Sequence, residues 1–486
     1  MSFKLTIRNF SKLSEAEVHI GRFTVFAGPN NTGKSSVSKL LYSLFDGMNV
    51  NHALVEFDSL MMGIRSSMGI PAMIKEDFEG IYRRSAEESK AKSENIERKQ
   101  VFPSLDTMSN TLNLMRSSIV DAGDDFGKLE QAISFLLGST EDLKDSCENL
   151  ENELKEFSAT PNWVDTNISD SVSQAIESCN KGIDSLREHL SSTNPRSFVV
   201  AGIEKKIKHN LTENFQVSDF SLLRNERNIG AEIDIEGVGR FQISNGNKSI
   251  FDIQSLGLEK LQQYSRVIYL ESPVYWKLKS ALEDVRMSPR YTSSLGRKRI
   301  SGVPGYFYDL ARAVRDEYTG DIAFPEVYDK LISKEVMGGK LALSETGELS
   351  FQEGERNFSL HLTAMGIVNL GMIALLIERK IIDKGTFLFI DEPEAHLHPA
   401  WQIKMAKTLF ELAKGGVNVV IATHSADILK FLEVEVKNNP ESENLIALNH
   451  FTPAGVRNGA SDFDVQLADI QAELTEPFAK LFIRGV

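Results

Sequence analysis

Gly28, Pro29, Asn30, Asn31, Thr32, Gly33, Lys34 and Ser35, followed by Ser36, fit the spacing G-x-x-x-x-G-K-[ST] at every fixed position. Glycines at 28 and 33 let the backbone turn tightly enough for its N–H groups to face phosphate, and a helix from about Lys34 to Phe45 adds the positive end of its dipole. In that setting Lys34 bridges the β- and γ-phosphates and the Ser35 hydroxyl takes a place on Mg²⁺. The expected ligand is a nucleoside triphosphate.

A phosphate loop hydrolyses nothing by itself, because the metal needs a second ligand and the attacking water needs orienting. Asp391 and Glu392, 363 and 364 residues after Gly28, meet both needs: Asp391 for Mg²⁺, Glu392 as general base. Further on, Thr423-His424-Ser425 offers a histidine placed to report on a γ-phosphate. A lone histidine is more often structural, so the assignment of His424 rests on its place one strand beyond the carboxylates.

These residues need elements that bring them together. Apolar runs over Phe23–Ala27, Thr386–Ile390 and Val417–Ala422 read as buried strands, each ending where its polar residues begin. Open parallel sheets collect ligands beyond the carboxyl ends of their strands. The predicted fold class is therefore α/β, with a mixed or parallel core sheet.

The opening Leu5-Thr-Ile-Arg-Asn-Phe10, the loop from Gly28 to Ser36, Asp391-Glu-Pro-Glu-Ala-His-Leu-His-Pro399 and Ala422-Thr-His-Ser425 together resemble ABC-type ATPases of the overcoming-lysogenization-defect and RecF/SMC-like group, with AAA_15/AAA_21-type members. The resemblance covers roughly residues 1–45 and 335–430. It implies an ABC-type P-loop ATPase head using ATP and Mg²⁺, in which Asp391 and Glu392 are the Walker B pair, residues 394–399 form the D-loop region and His424 is the switch histidine. It also implies a signature loop supplied in trans, hence a homodimer or a larger assembly of dimers. The segment matching that loop is Thr363-Ala364-Met365-Gly366, which keeps the glycine and lacks the usual serine.

Composition bounds the rest. The chain has 486 residues, 41% of them hydrophobic, enough for two or three cored domains. No apolar stretch approaches a bilayer span and the start reads as no targeting segment, so a cytoplasmic protein without membrane contact is expected. Two cysteines are too few for a disulfide framework. His396 and His398 read as part of a turn before Pro399.

The net charge of −14 is uneven: residues 121–196 carry 16 acidic and 6 basic side chains, a balance of −10 that makes this segment a poor grip for DNA. The same stretch is heptad-patterned, through Leu129, Ile133, Leu136, Leu143, Cys147, Leu150 and Leu154, then Val172, Ile176, Cys179, Ile183, Leu186 and Leu190. An antiparallel coiled-coil hairpin over about 126–190 is expected, turning near Pro161 and Trp163, with Cys147 and Cys179 at one height in its seam. They read either as two small buried hydrophobes or as a redox pair. The expected organisation is residues 1–60 and 201–486 as the two parts of the head, with 61–200 a helical insertion whose first part, like all of 46–125, reads as irregular helices.

Alternating runs over 231–235 and 240–243 read as strands that return the chain to the head, and 266–270 as another core strand. Arg286, Arg290, Arg297, Lys298 and Arg299 form a basic cluster beside Tyr291, either a contact for a phosphate backbone or a solvated loop. Only 62 residues follow His424, read as too few for the Toprim nuclease sheet of the lysogenization-defect nucleases. The chain looks like the ATPase components of two-gene anti-phage systems such as PARIS and Septu. A separate effector protein, expected to be a nuclease, and a phage-derived trigger follow from that likeness. The rival expectation is a RecF-like DNA-repair clamp, and a transporter ATPase fits less well.

Overall fold

The computed structural model describes residues 3–88, 102–158, 166–226, 229–244, 249–253, 265–279, 282, 302–316, 320–345, 347–457 and 462–484. The basic cluster from Arg286 to Arg299, the hairpin turn at Pro161 and Trp163, and most of the charged stretch 87–98 lie outside them. The chain divides into two units, 1–49 with 207–486, and 50–206.

In the first unit, β1 (Phe3–Phe10) and β2 (Leu13–Ile20) form a hairpin that leads into β3 (Phe23–Ala27), the phosphate loop and α1 (Lys34–Met48). Later come β4 (Ala231–Ile235), β5 (Gly239–Ile243) and β6 (Ser249–Ile253), which extend the hairpin into an antiparallel sheet of order β2-β1-β4-β5-β6. The alternating runs thus pair with the N-terminal strands, Ile7 opposite Ile233 and Leu5 opposite Ile235.

The core sheet draws on distant parts of the chain. It uses β3, β7 (Val267–Leu270), β11 (Phe387–Asp391), β12 (Asn418–Thr423), β13 (Ile446–Thr452) and β14 (Gly455–Arg457) in the order β14-β13-β3-β12-β11-β7. All neighbours are parallel except β13 and β14. β3 and β12 are buried at every position and β11 at all but Asp391, as expected of parallel strands covered on both faces. A small sheet of β8 (Lys340–Leu343), β9 (Leu349–Glu353) and β10 (Arg356–Ser359) precedes a largely apolar helix, Met365–Glu378.

An aromatic cluster fixes α1 against this sheet. Phe45 meets Phe387 edge-on at 5.1 Å, and Tyr42 meets Tyr269 and Tyr306 edge-on at 5.5 and 5.8 Å. Such pairs add about 0.5–1.5 kcal/mol each beyond their burial. The helix that carries Lys34 and Ser35 is therefore held against the strand that carries Asp391.

The second unit is helical: α2 (His52–Glu88), α3 (Pro103–Ala122), α4 (Phe126–Ser158), α5 (Thr166–Ser192) and the first part of α6 (Pro195–Phe215). The expectation of irregular helices over 46–125 is corrected here, since α2 runs 37 residues through Pro71. The α4–α5 pair is antiparallel, with Lys144 paired to Asp184 and Glu141 to Arg187. Cys147 and Cys179 are both buried and free. α4 also packs on α3 and α5 on α2, so the heptad seam is one interface of a bundle. Asp124 closes the start of α2 by accepting from His52 N–H and Ala53 N–H. Glu56, fully buried, lies 2.7 Å from Lys205 Nζ.

Candidate functional site

Strand order explains the convergence of the predicted residues. β12 lies between β3 and β11, with Thr423 opposite Ala27 and Ala422 opposite Asp391. Gly28, His424 and Asp391 therefore emerge side by side at the carboxyl edge of the sheet, where such sheets bind ligands.

The phosphate loop needs its glycines for two reasons. Gly33 has φ +96°, and Gly28, at φ +150°, faces the Phe451 carbonyl so closely that a β-carbon would sit 2.0 Å from its oxygen. Asn31 also adopts positive φ. Lys34 is 7% exposed and its Nζ donates to the carbonyls of Gly28 and Pro29, at 2.8 and 2.6 Å. Burial lowers the Lys34 pKa, and the carboxylates of Asp391, Glu392 and Glu394 oppose that shift. The β1–β2 turn leans on the loop: Ser11 Oγ donates to Ser36 Oγ at 3.1 Å and Lys12 Nζ donates to Asn31 Oδ1.

Ser35 Oγ donates to Asp391 Oδ1 at 2.9 Å. Burial pushes Asp391 up to about 6, the Ser35 hydrogen bond and Lys39 pull it down, and Glu271 and Glu392 add to the rise. A hydroxyl and one carboxylate, both hard oxygens, suit Mg²⁺, which takes one or two protein carboxylates and fills its octahedron with phosphate and water. Among the described residues no group of three or more His, Cys, Asp or Glu could hold a metal ion without such help. Ser35 and Asp391 thus fit the metal that the loop motif implies.

Glu392 has φ +50°, a conformation that costs a side-chain-bearing residue of the order of 1 kcal/mol or more. Its N–H is held by the Ala422 carbonyl at 2.8 Å and its carboxylate is half exposed. His424 Nδ1 lies 3.7 Å from Glu392 Oε1 and 3.3 Å from Glu394 Oε1.

Four residues of this site escaped the motif reading: Lys12, Lys39, Glu271 and Glu394. Lys39 Nζ donates to Glu271 Oε1 at 2.8 Å, and the Tyr306 hydroxyl donates to the other Glu271 oxygen. Glu271 was available to the rule about carboxyl ends, since it directly follows a strand read from the sequence. Glu394 lay inside the Asp391–Pro399 segment and drew no separate attention.

The signature-like segment sits at the start of the helix Met365–Glu378. Thr363 is buried, its hydroxyl donates to the Ser359 carbonyl at 3.0 Å, and its own carbonyl accepts from Lys277 Nζ at 2.7 Å. A β-carbon at Gly366 would lie 2.9 Å from the His396 carbonyl oxygen. Ala364 and Met365 complete the turn between these two anchors, and Leu362, just before it, is 81% exposed.

A family model described as AAA ATPase domain (AAA_15) matches residues 1–429. The chain belongs to that family. A curated relative, the Old nuclease of Escherichia phage P2, is 44% identical over 45 residues, which are 9% of this chain and 8% of the phage protein. Solved structures of SMC heads are also similar: one from Pyrococcus yayanosii, with a coiled coil and joint, at 12% identity over 97% of this chain and 99% of that one, TM-score 0.31. A second, from Pyrococcus furiosus and bound to the C-terminal domain of ScpA, matches at 11% identity over 97% and 99% of the two chains, TM-score 0.29.

Membership of an ATPase family gives the geometry its chemistry. Bound Mg²⁺ would neutralise charge on the β- and γ-phosphate oxygens. Backbone N–H groups of residues 28–36 and Lys34 would hold the phosphates, Ser35 and Asp391 the metal. Glu392, half exposed beside Asp391, would be the carboxylate that accepts a proton from water, and His424 stands 3.7 Å from it. Among the described residues no helix is long and apolar enough to cross a membrane.

Proposed function

We propose that this protein is an ATP-binding and ATP-hydrolysing regulatory subunit of a bacterial anti-phage complex, which controls an effector, a nuclease, carried on a separate polypeptide. The observation that carries the ATP part is the convergence of Lys34, Ser35, Asp391, Glu392 and His424 at one sheet edge. The regulatory part is supported by the likeness to two-gene defence ATPases and by the short match to the Old nuclease of a phage. An acidic helical unit suits contact with protein more than with DNA. In this reading two copies pair head to head, each lending Thr363–Gly366 to the other's nucleotide, and a phage-derived trigger changes the paired state.

Native mass spectrometry of the protein co-expressed with its neighbouring genes, with and without ATP, tests this. The expected result is a dimer or a multiple of it that retains a second polypeptide. A monomer without partner under both conditions sinks the regulatory reading and leaves ATP binding standing. Steeply salt-dependent duplex DNA binding, lost when Arg297, Lys298 and Arg299 are neutralised, would favour a repair clamp instead.

A further inference from the structure

Glu394 is 6% exposed, and among the described residues its hydrogen-bond donors are a hydroxyl and a backbone N–H. One of its oxygens, Oε1, accepts from Thr423 Oγ1 and from the His424 N–H, both at 2.8 Å, and lies 3.3 Å from His424 Nδ1. The other, Oε2, is buried without a hydrogen-bond partner among the described residues. Burying a carboxylate in this way costs several kcal/mol, on the order of the penalty for an incompletely paired ion. Two neutral donors do not require that charge: the carbonyl of a glutamine would accept both hydrogen bonds. What a glutamine cannot supply is a negative charge beside the imidazole.

We propose that Glu394 is the positioning residue of His424. Three contacts at one oxygen fix the turn after β12, the direction of the ring and the location of its proton. Among the described residues the ion-pair partners of Nδ1 are carboxylate oxygens, those of Glu394 and Glu392, which favour hydrogen on that nitrogen. Nε2 is then the nitrogen left for the nucleotide. A phosphate oxygen only accepts hydrogen bonds, so contact through Nε2 is made by an N–H at that nitrogen. Glu394 itself touches neither water nor phosphate in this scheme. It acts through the histidine, as the buried carboxylate does in carboxylate–histidine pairs generally. The inference rests on the reading of His424 as a group acting on the nucleotide.

The test is a double-mutant cycle on the full chain, read by steady-state ATP hydrolysis, with nucleotide affinity measured separately. Glu394→Gln is expected to lower kcat about tenfold or more, with KM and the Kd for ATP within about twofold of wild type. In a His424→Ala background the same substitution is expected to change kcat by less than about twofold, because its target is gone. Equal losses in both backgrounds, or a raised KM with unchanged kcat, overturn the proposal. Wild-type kcat in His424→Ala overturns it together with the histidine reading, whereas a slow His424→Ala beside a normal Glu394→Gln overturns only the role of Glu394. Should Glu394→Gln melt early, Thr423→Val removes a donor to the same oxygen while keeping the charge. It should lower kcat by about threefold, again only where His424 is present.

Discussion

Ser35 Oγ and Asp391 Oδ1, 356 positions apart in the chain, are 2.9 Å apart in the folded protein. The hydrogen bond joins the first turn of α1 to the end of β11 and marks where a cation would be held.

Asp391→Asn should therefore act in opposite directions on binding and on stability. Its folded-state pKa, about 6, is above the ordinary value of 3.8, so the folded protein without metal binds more protons than the unfolded chain between about pH 4 and pH 6. This group's penalty is absent below pH 4, grows as pH rises through that window, and is complete above it. Removing the charge should stabilise the nucleotide-free protein at pH 7.5 by up to about 3 kcal/mol, raising its melting temperature, and cut Mg²⁺-dependent ATP affinity. Scanning fluorimetry and titration calorimetry with and without MgATP check both. In the wild type, Mg²⁺-dependent affinity should fall as pH drops below about 6, because the proton then competes with the metal.

Glu392→Gln should retain ATP and lose turnover. Removal of a general base costs about a hundredfold or more in kcat. The side chain is half exposed and neither binds the Ser35 hydroxyl nor caps a helix, so nucleotide affinity and melting temperature should stay close to wild type. Turnover at the wild-type rate would remove Glu392 from its role.

Gly28→Ala and Lys34→Ala should be separable. The alanine methyl at 28 meets a backbone oxygen that cannot rotate away, so the variant loses stability, by about 2 kcal/mol or more, as well as nucleotide. Lys34→Ala should lose nucleotide binding with a far smaller change in unfolding midpoint. Denaturant unfolding of the two variants beside wild type is the measurement.

Much of this site could be read from the sequence because its residues follow apolar runs of the right length. Gly28, Asp391 and His424 each lie at or just past the end of such a run, and a parallel sheet aligns strand ends by construction. Glu271 and Lys39 could not be paired that way, because nothing local says that β7 lies beside β11. The turn at Ser11 and Lys12 lies over the loop only because β1 and β2 form a hairpin, in whose turn Ser11 adopts positive φ. In the helical unit, heptad spacing revealed the inner face of α4 and α5 and gave no hint of α2 and α3 behind them. The irregular helices expected over 46–125 are instead a continuous α2 through Pro71, whose packing against α5 and α3 accompanies its length.

Gly366→Ala should disturb catalysis with little effect on ATP affinity. The added methyl presses on the His396 carbonyl and the Leu397 side chain, so the helix start or residues 394–399 must shift. Asn369 Nδ2, 3.4 Å from the Pro393 carbonyl, ties the same helix to the residue after Glu392. A fall in kcat of about fivefold or more at unchanged Kd is expected, and a normal kcat would show the two segments to be independent.

Phe23 pairs with Val419 on one side and Ile446 on the other, residues made 396 and 423 positions later. A ribosome adding about 5–20 residues per second leaves β3 with both edges unpaired for roughly 20–80 s. Through that interval the nascent chain displays an apolar strand suited to wrong partners, while the intervening helices can already assemble among themselves. Chaperone demand during synthesis, and an inability of early fragments to capture ATP, are thus written into the order of the strands.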